Sequence, residues 1–272
     1  DSESAIDPDF LSRAGCDLEQ LMYIQASSVE FVLETIEELL GATDDQLVFI
    51  WDSLAFTPSV SDVEGDFNPQ SSMAQKPRVL SLGMQKLTKH LSQTQSTFLV
   101  LNQLKTNINV NNPMMMLSQP YFAPGGKAII FAYSLRIWLT GLRGKKTFVE
   151  DDAGYRIGSE VKAKLEKSKF GTQGRICNFK ILWAGENVGI MNDESLLEAI
   201  KSSERLTNSG AWFTLEVHDT KFQSATFPKL MKTNEKFAKL VYDIIDEEVI
   251  RKFENKTGRA ADFYGKDETK EE

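Results

Sequence analysis

The sequence predicts an α/β fold in which helices flank a mostly parallel sheet. Two short apolar runs, at residues 47–51 and 97–101, have the length and composition of buried strands. A segment with the period of an amphipathic helix precedes each run. This alternation is typical of a doubly wound sheet, and 272 residues, 41% of them hydrophobic, are enough to bury a core.

Capping and helix-breaking residues set the first element boundaries. Ser27 and Glu30 have the spacing of a capping box, and the periodic residues after them predict a helix that ends at Gly41. The first strand then ends at Asp52. Pro77 fits the first turn of the second helix, which leads into the second strand.

The pattern changes in the second half of the chain. Residues 104–124 carry many amides and three prolines without a sustained period, which predicts a functional loop. After Gly125 and Gly126 we expect a short helix and then strands that are exposed on one face. A further helix, strand and long helix predict a small α/β domain, so we expect a core domain at 1–188 and a C-terminal domain with a frayed charged tail at 189–272.

Composition narrows the available chemistry. Two cysteines, Cys16 and Cys177, and two histidines provide neither a disulfide framework nor a zinc cluster. No apolar run approaches the roughly 20 residues that span a bilayer, so we expect a soluble, cytoplasmic protein. Catalysis and binding are therefore expected from carboxylates, amides, lysines and the backbone.

The formal net charge of −8 conceals a basic segment. Residues 76–180 contain 17 Lys and Arg against 5 Asp and Glu, whereas the remainder contains 14 against 34. Such a block is typical of a surface that binds nucleic acid. Solvated helix faces produce the same imbalance, so charge alone leaves both interpretations open.

Polar residues follow both predicted strands. Asp52 has the position of a Walker B aspartate, which holds magnesium through water at the carboxyl edge of a parallel sheet, and Ser53 fixes the turn. Gln103 ends the second strand beside Asn102, where an amide can contact a phosphate or a water. Turn chemistry alone would also place an Asp or an amide at these positions.

The first residues form an acidic cluster. If a strand precedes Asp1, then Glu3 is placed to activate a water for attack on a γ-phosphate. An exposed chain end is the alternative interpretation of the same residues.

Seven short motifs occur in one order along the chain: DSESAIDP, FIWDSL, DVEGD, VLNQLK, PGGKA, LEKSK and SGAWF. The ordered set resembles the bacterial RecA recombinases and their phage UvsX-type relatives, from Asp1 to about Phe213. The resemblance implies a RecA-type P-loop NTPase core followed by the small C-terminal domain.

The resemblance also implies a site for ATP and Mg²⁺. Glu3 matches the catalytic carboxylate that orients the attacking water, and Asp52 with Ser53 matches the magnesium-associated Walker B turn. Gln103 matches the amide that couples the γ-phosphate to DNA binding. Four more positions match residues that contact ATP, two at the adenine and two from a neighbouring filament subunit: Asp7, Phe10, Lys167 and Lys169.

Two DNA-binding loops are implied in the same way, at about 64–73 and 105–124. The matched positions lie in these loops or next to them: Glu64, Gly65, Phe67, Arg78, Lys105, Ile108, Gly125 and Gly126. Basic side chains and glycine backbone suit phosphates, and an apolar side chain suits a gap between bases.

Some of these residues also fit a purely structural role. Met114 to Met116, with Tyr121 and Phe122, would pack as core in one alternative. Lys167 and Lys169 share one face of a strand, as the residues of a solvated edge strand also do.

The implied function is ATP-dependent homologous recombination and DNA repair through a filament on single-stranded DNA that promotes strand exchange. The implied partners are single- and double-stranded DNA, further copies of the chain, recombination mediators and single-strand-binding proteins. A RecA-fold ATPase of the helicase or circadian-clock type is one alternative, and an ATPase-inactive accessory DNA-binding fragment is another.

One motif of this family is missing from the chain. The phosphate-binding loop, G-x-x-x-x-G-K followed by Ser or Thr, occurs nowhere in these 272 residues. We expect it upstream of Asp1, in a core that is truncated at its N-terminus, and we expect negligible ATP hydrolysis by the 272 residues alone because they lack this nest of N–H groups.

Overall fold

The computed structural model describes residues 1–65, 75–106, 121–142, 147–185, 188–215 and 220–252. They belong to two compact units, Asp1–Ser134 and Leu135–Glu272, which are described separately. Together they confirm the α/β class.

The first unit combines five α-helices and one short 3₁₀-helix, Leu18–Gln20, with two small sheets among its described residues. The helices are α1 (Pro8–Arg13), α2 (Val29–Ala42), α3 (Val60–Glu64), α4 (Gln75–Gln93) and α5 (Gly126–Ala132). The strands are β1 (Val48–Trp51), β2 (Thr97–Val100), β3 (Lys105–Thr106) and β4 (Tyr121–Phe122). Strands β1 and β2 pair in parallel, and β3 and β4 pair antiparallel.

Helix α2 begins one residue later than the capping box predicted. Its N-cap is Ser28, whose hydroxyl accepts from the backbone N–H of Phe31 at 3.1 Å, so the prediction of Ser27 was wrong. The carboxylate of Glu30 accepts instead from the N–H of Val60, 3.0 Å away. A tertiary contact thus takes the acceptor that a local capping box would have used.

The parallel pair β1–β2 carries the first core on one of its faces. Trp51 is 2% exposed and packs in this core, whereas Val48 and Ile50 are 64% and 61% exposed on the other face. The prediction of a buried strand therefore holds for only one face of β1 within the described residues. The buried residues of this core come from α2, β1, α4, α5 and the turn after β1: Val29, Leu33, Ile36, Leu40, Trp51, Leu54, Leu80, Met84, Leu87 and Ile129.

The second unit opens with a five-stranded sheet: β5 (Leu135–Gly141), β6 (Phe148–Glu150), β7 (Arg156–Ser168), β8 (Ile176–Leu182) and β9 (Gly189–Ile190). All its pairings are antiparallel, in contrast to the mostly parallel sheet that we expected. The connections explain the difference, because the few residues between β7 and β8 suffice for a hairpin but not for a parallel crossover.

Helices and a small antiparallel sheet follow in the same unit: α6 (Asn192–Ile200), β10 (Leu206–Ser209), β11 (Trp212–Leu215), β12 (Thr220–Phe222), α7 (Phe227–Thr233) and α8 (Glu235–Ile244), which continues as a π-helical stretch at Ile245–Ile250. Their core contains a group of aromatic rings with centroids 5.2 to 5.8 Å apart: Phe213, Phe222, Phe227 and Phe237. The domain boundary expected after residue 188 stays a prediction. Among the described helices, none has both the length and the apolar character needed to cross a membrane.

Candidate functional site

The candidate site lies where β1 and β2 end side by side. Pairing continues past both strands, because the N–H of Leu101 donates to the carbonyl of Trp51 at 2.9 Å and that of Leu54 donates to Leu101 at 3.0 Å. Asp52 and Ser53 therefore follow β1 at the edge where β2 also ends. The carboxyl edge of a parallel sheet is where ligands bind in open α/β folds.

Glu3 joins this edge from the start of the chain. The N–H of Ser2 donates to the carbonyl of Asp52 at 2.6 Å, which places the next residue beside the turn. Ser53 Oγ then donates to Glu3 Oε1 at 2.6 Å, and Gln103 Nε2 lies 3.4 Å from the same oxygen. The structure thus brings Glu3, Ser53 and Gln103 into contact next to Asp52, whose peptide bond to Ser53 is cis.

Asp1 shapes the turn that carries Glu3. Its carboxylate accepts from the N–H groups of Glu3, Ser4 and Ala5 at 2.9, 3.0 and 3.2 Å, and from the hydroxyl of Tyr23 at 3.0 Å. No role for Asp1 itself was predicted from the sequence. The general preference of Asp for binding N–H groups a few residues downstream is the signal that would have found it.

The residues present fit a magnesium ion that is shared with a phosphate. Asp52 is half-buried at the sheet edge, and the described residues contain no group of three or more His, Cys, Asp or Glu side chains that could hold a metal ion alone. Mg²⁺ commonly uses one or two carboxylates together with substrate phosphates and water. A single aspartate at this edge matches that donor set.

Asp7 and Phe10 lie on the segment that follows the acidic turn. Asp7 Oδ1 accepts from the N–H groups of Asp9 and Phe10 at 2.9 and 3.3 Å and so caps α1. The Phe10 side chain is half-buried. Capping accounts for the aspartate by itself, and an adenine contact by either residue stays a prediction.

Lys76 is a contact residue that the sequence interpretation missed. Its Nζ donates to the carbonyls of Leu54 and Thr57 at 2.8 and 2.5 Å, so α4 is fixed to the turn after Ser53. Desolvation lowers the pKa of Lys76; the charge of Lys105 lowers it further, and Asp62 opposes the shift. Its position at the start of the basic segment was the only hint in the sequence.

The end of the second predicted loop meets the end of β2. Asn102 Nδ2 donates to the carbonyl of Pro124 at 2.9 Å. Gly125 has φ +108°, and a Cβ there would lie 2.3 Å from Ile129 Cδ1 and 3.1 Å from Leu54 Cδ2. The backbone angle requires a glycine at this position, and an added Cβ would also displace the end of the Ile129 side chain.

Gly126 also has a positive φ, +78°, and lies beside the first turn of α4, where a Cβ would be 3.4 Å from Pro77 Cβ. The side chain of Arg78, which follows Pro77 on α4, is exposed, and so is that of Lys105 on β3. Basic groups and glycine backbone thus occur in the same unit as the carboxylate site.

Several predicted positions lie at the limits of the described residues or beyond them. Glu64 and Gly65 are exposed at the end of α3. Phe67 and Ile108 lie outside the described residues, as do Met114 to Met116. In the antiparallel pair β3–β4, Tyr121 is half-buried and Phe122 is 44% exposed, so Phe122 does not belong to a core here.

Lys167 and Lys169 lie in the second unit. Lys167 is half-buried near the end of β7 and pairs with Arg136 across the sheet, while Lys169 is exposed just beyond the strand. Desolvation lowers the pKa of Lys167, and the charges of Lys169 and Arg136 lower it further. The register of β7 with β8 ends at the Lys164–Ile176 pair, before Lys167, so the alternative of an edge position for Lys167 stays open.

These features define an α/β protein with a carboxylate and amide site at the ends of two parallel strands. The family model for the RecA N-terminal domain matches residues 1–189. The chain therefore belongs to the RecA family.

Individual relatives agree with this assignment. The chain is 30% identical over 216 residues to Protein RecA of Pseudarthrobacter chlorophenolicus and 32% identical over 218 residues to Protein RecA of Mannheimia haemolytica, 79% of this chain in both cases. The matches cover 57% and 55% of those proteins, so the chain spans little more than half of their length. The RecA part of the resemblance is confirmed, and the UvsX part stays a prediction.

Proposed function

We propose that this chain is the larger part of a RecA-type recombinase, a DNA-dependent ATPase that forms a filament on single-stranded DNA and promotes strand exchange in homologous recombination and repair. The observation that carries the proposal is the contact of Glu3 with both Ser53 and Gln103. Three segments far apart in sequence supply this contact, at the edge where an α/β sheet binds ligands.

The proposed nucleotide chemistry uses the groups at this edge. Glu3 orients the attacking water and accepts its proton, and Asp52 holds Mg²⁺ with the phosphates of ATP while Ser53 fixes the orientation of Glu3. Bound Mg²⁺ supplies charge that stabilises the transferring phosphoryl group. Asp7 and Phe10 are proposed to contact adenine.

Gln103 is the proposed link between ATP and DNA. Its side chain contacts Glu3, and only Leu104 separates it from β3, where the second loop begins. The other end of that loop is fixed to the neighbouring Asn102 through Pro124. A change at the γ-phosphate that moves Gln103 therefore acts on both ends of the loop.

DNA binding is proposed for the two loops and the residues beside them. Arg78 and Lys105 are exposed cations that suit phosphates, and the backbone at Gly125 and Gly126 allows close approach. The remaining proposed positions are Glu64, Gly65, Phe67 and Ile108. Lys167 and Lys169 are proposed to reach the ATP of a neighbouring subunit, so that further copies of the chain complete the site.

The phosphate-binding loop is proposed to lie upstream of Asp1 in the full-length gene product, which sequencing upstream would test. Cytoplasmic location, a phage origin of the UvsX type, and contacts with mediator and single-strand-binding proteins belong to the same proposal. The contact of Gln103 with Glu3, followed by a long loop that two glycines close, favours a recombinase over a helicase-type ATPase.

The salt dependence of DNA binding by the full-length gene product tests the proposal. Neutralised phosphates release counterions, so the log–log slope of affinity against salt should be about −0.7 for each contact with single-stranded DNA. A steep fall, together with ATP hydrolysis that DNA stimulates, would support the proposal. Salt-independent binding would overturn it, and DNA binding without hydrolysis would favour an accessory role.

A further inference from the structure

Thr57 is a buried residue at the centre of a hydrogen-bond network beside Glu3. Its side chain is 0% exposed. Thr57 Oγ1 lies 2.8 Å from the indole nitrogen of Trp51, 2.5 Å from Ser2 Oγ and 2.8 Å from the carbonyl oxygen of Ser53. Groups from two segments of the first unit, one at Ser2 and one at Trp51 and Ser53, therefore converge on one hydroxyl group.

The chemistry of the partners fixes the direction of each bond. A carbonyl only accepts, so the single hydroxyl proton of Thr57 goes to the carbonyl of Ser53. An indole N–H only donates, so Trp51 donates to Thr57, and the hydroxyl of Ser2 donates to Thr57 as well. Trp51 Nε1 is also 3.3 Å from Ser2 Oγ, which closes the network.

Two residues of this network hold Glu3. Ser2 is its neighbour in the chain, and Ser53 donates to its carboxylate at 2.6 Å. Thr57 binds the Ser2 side chain and the Ser53 backbone together. Its hydroxyl therefore fixes the Glu3 backbone relative to Ser53, whose side chain orients the Glu3 carboxylate.

Trp51 gives the network a fixed support. The indole is 2% exposed at the end of β1, and its ring stacks on Phe98 of β2 with an interplanar angle of 2° and centroids 6.4 Å apart. Lys76 Nζ donates to the backbone carbonyl of Thr57 at 2.5 Å. The Thr57 backbone is thus held by Lys76 and its side chain by the buried Trp51.

We propose that Thr57 is a positioning residue for Glu3. Its hydroxyl, held by Trp51, positions the Glu3 carboxylate to activate the attacking water. The inference rests on the proposed ATPase function. A displacement of about 1 Å in a reacting group can reduce turnover by about a hundredfold, so the loss of one buried hydroxyl is expected to lower kcat while ATP binding persists.

The experiment compares three variants of the full-length gene product in ATP hydrolysis on single-stranded DNA. Thr57→Val removes the hydroxyl at constant shape, and Thr57→Ser keeps it. Thr88→Val is the matched control, since Thr88 Oγ1 also donates to a carbonyl four residues back, that of Met84 at 2.5 Å, but within α4. We expect Thr57→Val to lower kcat about tenfold or more with KM for ATP within about twofold, and Thr57→Ser to retain most of the turnover.

Either of two kinetic results, or one structural result, would overturn the proposal. The kinetic results are equal kcat in Thr57→Val and the wild type, and equal losses in Thr57→Val and Thr57→Ser. The structural result is a crystal structure of the Thr57→Val protein in which Ser53 Oγ and Glu3 Oε1 remain at their original separation. The crystal structure decides the positioning role even if the wild-type protein proves inactive, an outcome that would reject the proposed function separately.

Discussion

Gln103 Nε2 lies 3.4 Å from Glu3 Oε1, although 100 positions separate the two residues in the chain. Glu3 also accepts from Ser53, so one carboxylate oxygen contacts the residues that follow two neighbouring strands. The group proposed to act on ATP and the group proposed to lead into a DNA-binding loop therefore share a contact. This arrangement allows specific tests of the proposed coupling.

Replacement of Glu3 by Gln is expected to suppress ATP hydrolysis by about a hundredfold or more and to spare filament assembly. The amide oxygen of Gln can still accept from Ser53, so the geometry persists while the base is lost. Hydrolysis and filament formation on single-stranded DNA should both be measured. The matched control is Glu19→Gln, an exposed carboxylate near Asp17; normal turnover in Glu3→Gln would remove Glu3 from the mechanism.

Replacement of Gln103 by Ala is expected to bring the ratio of DNA-stimulated to basal hydrolysis close to one. The side chain that joins the carboxylate to β3 would be missing, whereas Asp52 and Glu3 would remain. Gln46→Ala is the control, because Gln46 Nε2 binds the carbonyl of Gln95 at the opposite end of the same sheet at 2.9 Å. Stimulation that persists in Gln103→Ala would contradict the coupling role.

Replacement of Lys105 by Ala is expected to weaken DNA binding and to reduce the steepness of the salt dependence by about 0.7. The side chain is exposed, so the free energy of unfolding should change by less than about 0.5 kcal/mol. Binding titrations at several salt concentrations and urea unfolding measure the two effects. Lys89→Ala, at an exposed position of α4, should change neither quantity; an unchanged salt slope in Lys105→Ala would exclude a phosphate contact.

Lys76 predicts a pH dependence of stability. Burial lowers the pKa of Lys76 in the folded state below its ordinary value of 10.5. Between the lowered pKa and 10.5, the unfolded state therefore binds more protons than the folded state. The free energy of unfolding should therefore increase with pH toward 10.5, relative to the variant Lys76→Met. Urea unfolding of both proteins at a series of pH values measures this difference, and a difference that falls with rising pH would contradict the sign.

Replacement of Gly125 by Ala is expected to destabilise the fold by about 1–3 kcal/mol, because the positive φ and the contact with Ile129 both oppose a Cβ. Gly41→Ala is the contrasting control in α2, where the added Cβ meets nothing within 4 Å and alanine should stabilise the helix by up to about 1 kcal/mol. Thermal unfolding compares the two. Equal stability changes in both variants would remove the close-packing argument for Gly125.

Several elements followed from the sequence because their signals are local. The apolar run at 47–51 predicted β1, which covers Val48–Trp51, and the periodic residues after Glu30 predicted α2. Strand and helix periods depend only on near neighbours. The ordered motifs predicted RecA family membership in the same way, since each motif is a continuous stretch of residues.

Local patterns failed where distant segments compete for the same groups. The capping box at Ser27 was plausible by spacing, but Glu30 binds Val60 and Ser28 caps the helix. The exposure of one face of β1 could not be predicted from the sequence either, because the burial of a strand depends on what packs against it.

The sequence by itself determined the class of fold, the family, and the residue types at the carboxyl ends of β1 and β2. Only the tertiary structure decided that Glu3 contacts Ser53 and Gln103. It also decided that Lys76 binds the carbonyl of Thr57 and that the Thr57 hydroxyl accepts hydrogen bonds from Trp51 and Ser2. The physical reason is that a hydrogen bond between distant segments leaves no period or spacing in the chain; it exists only once the core has brought its partners together.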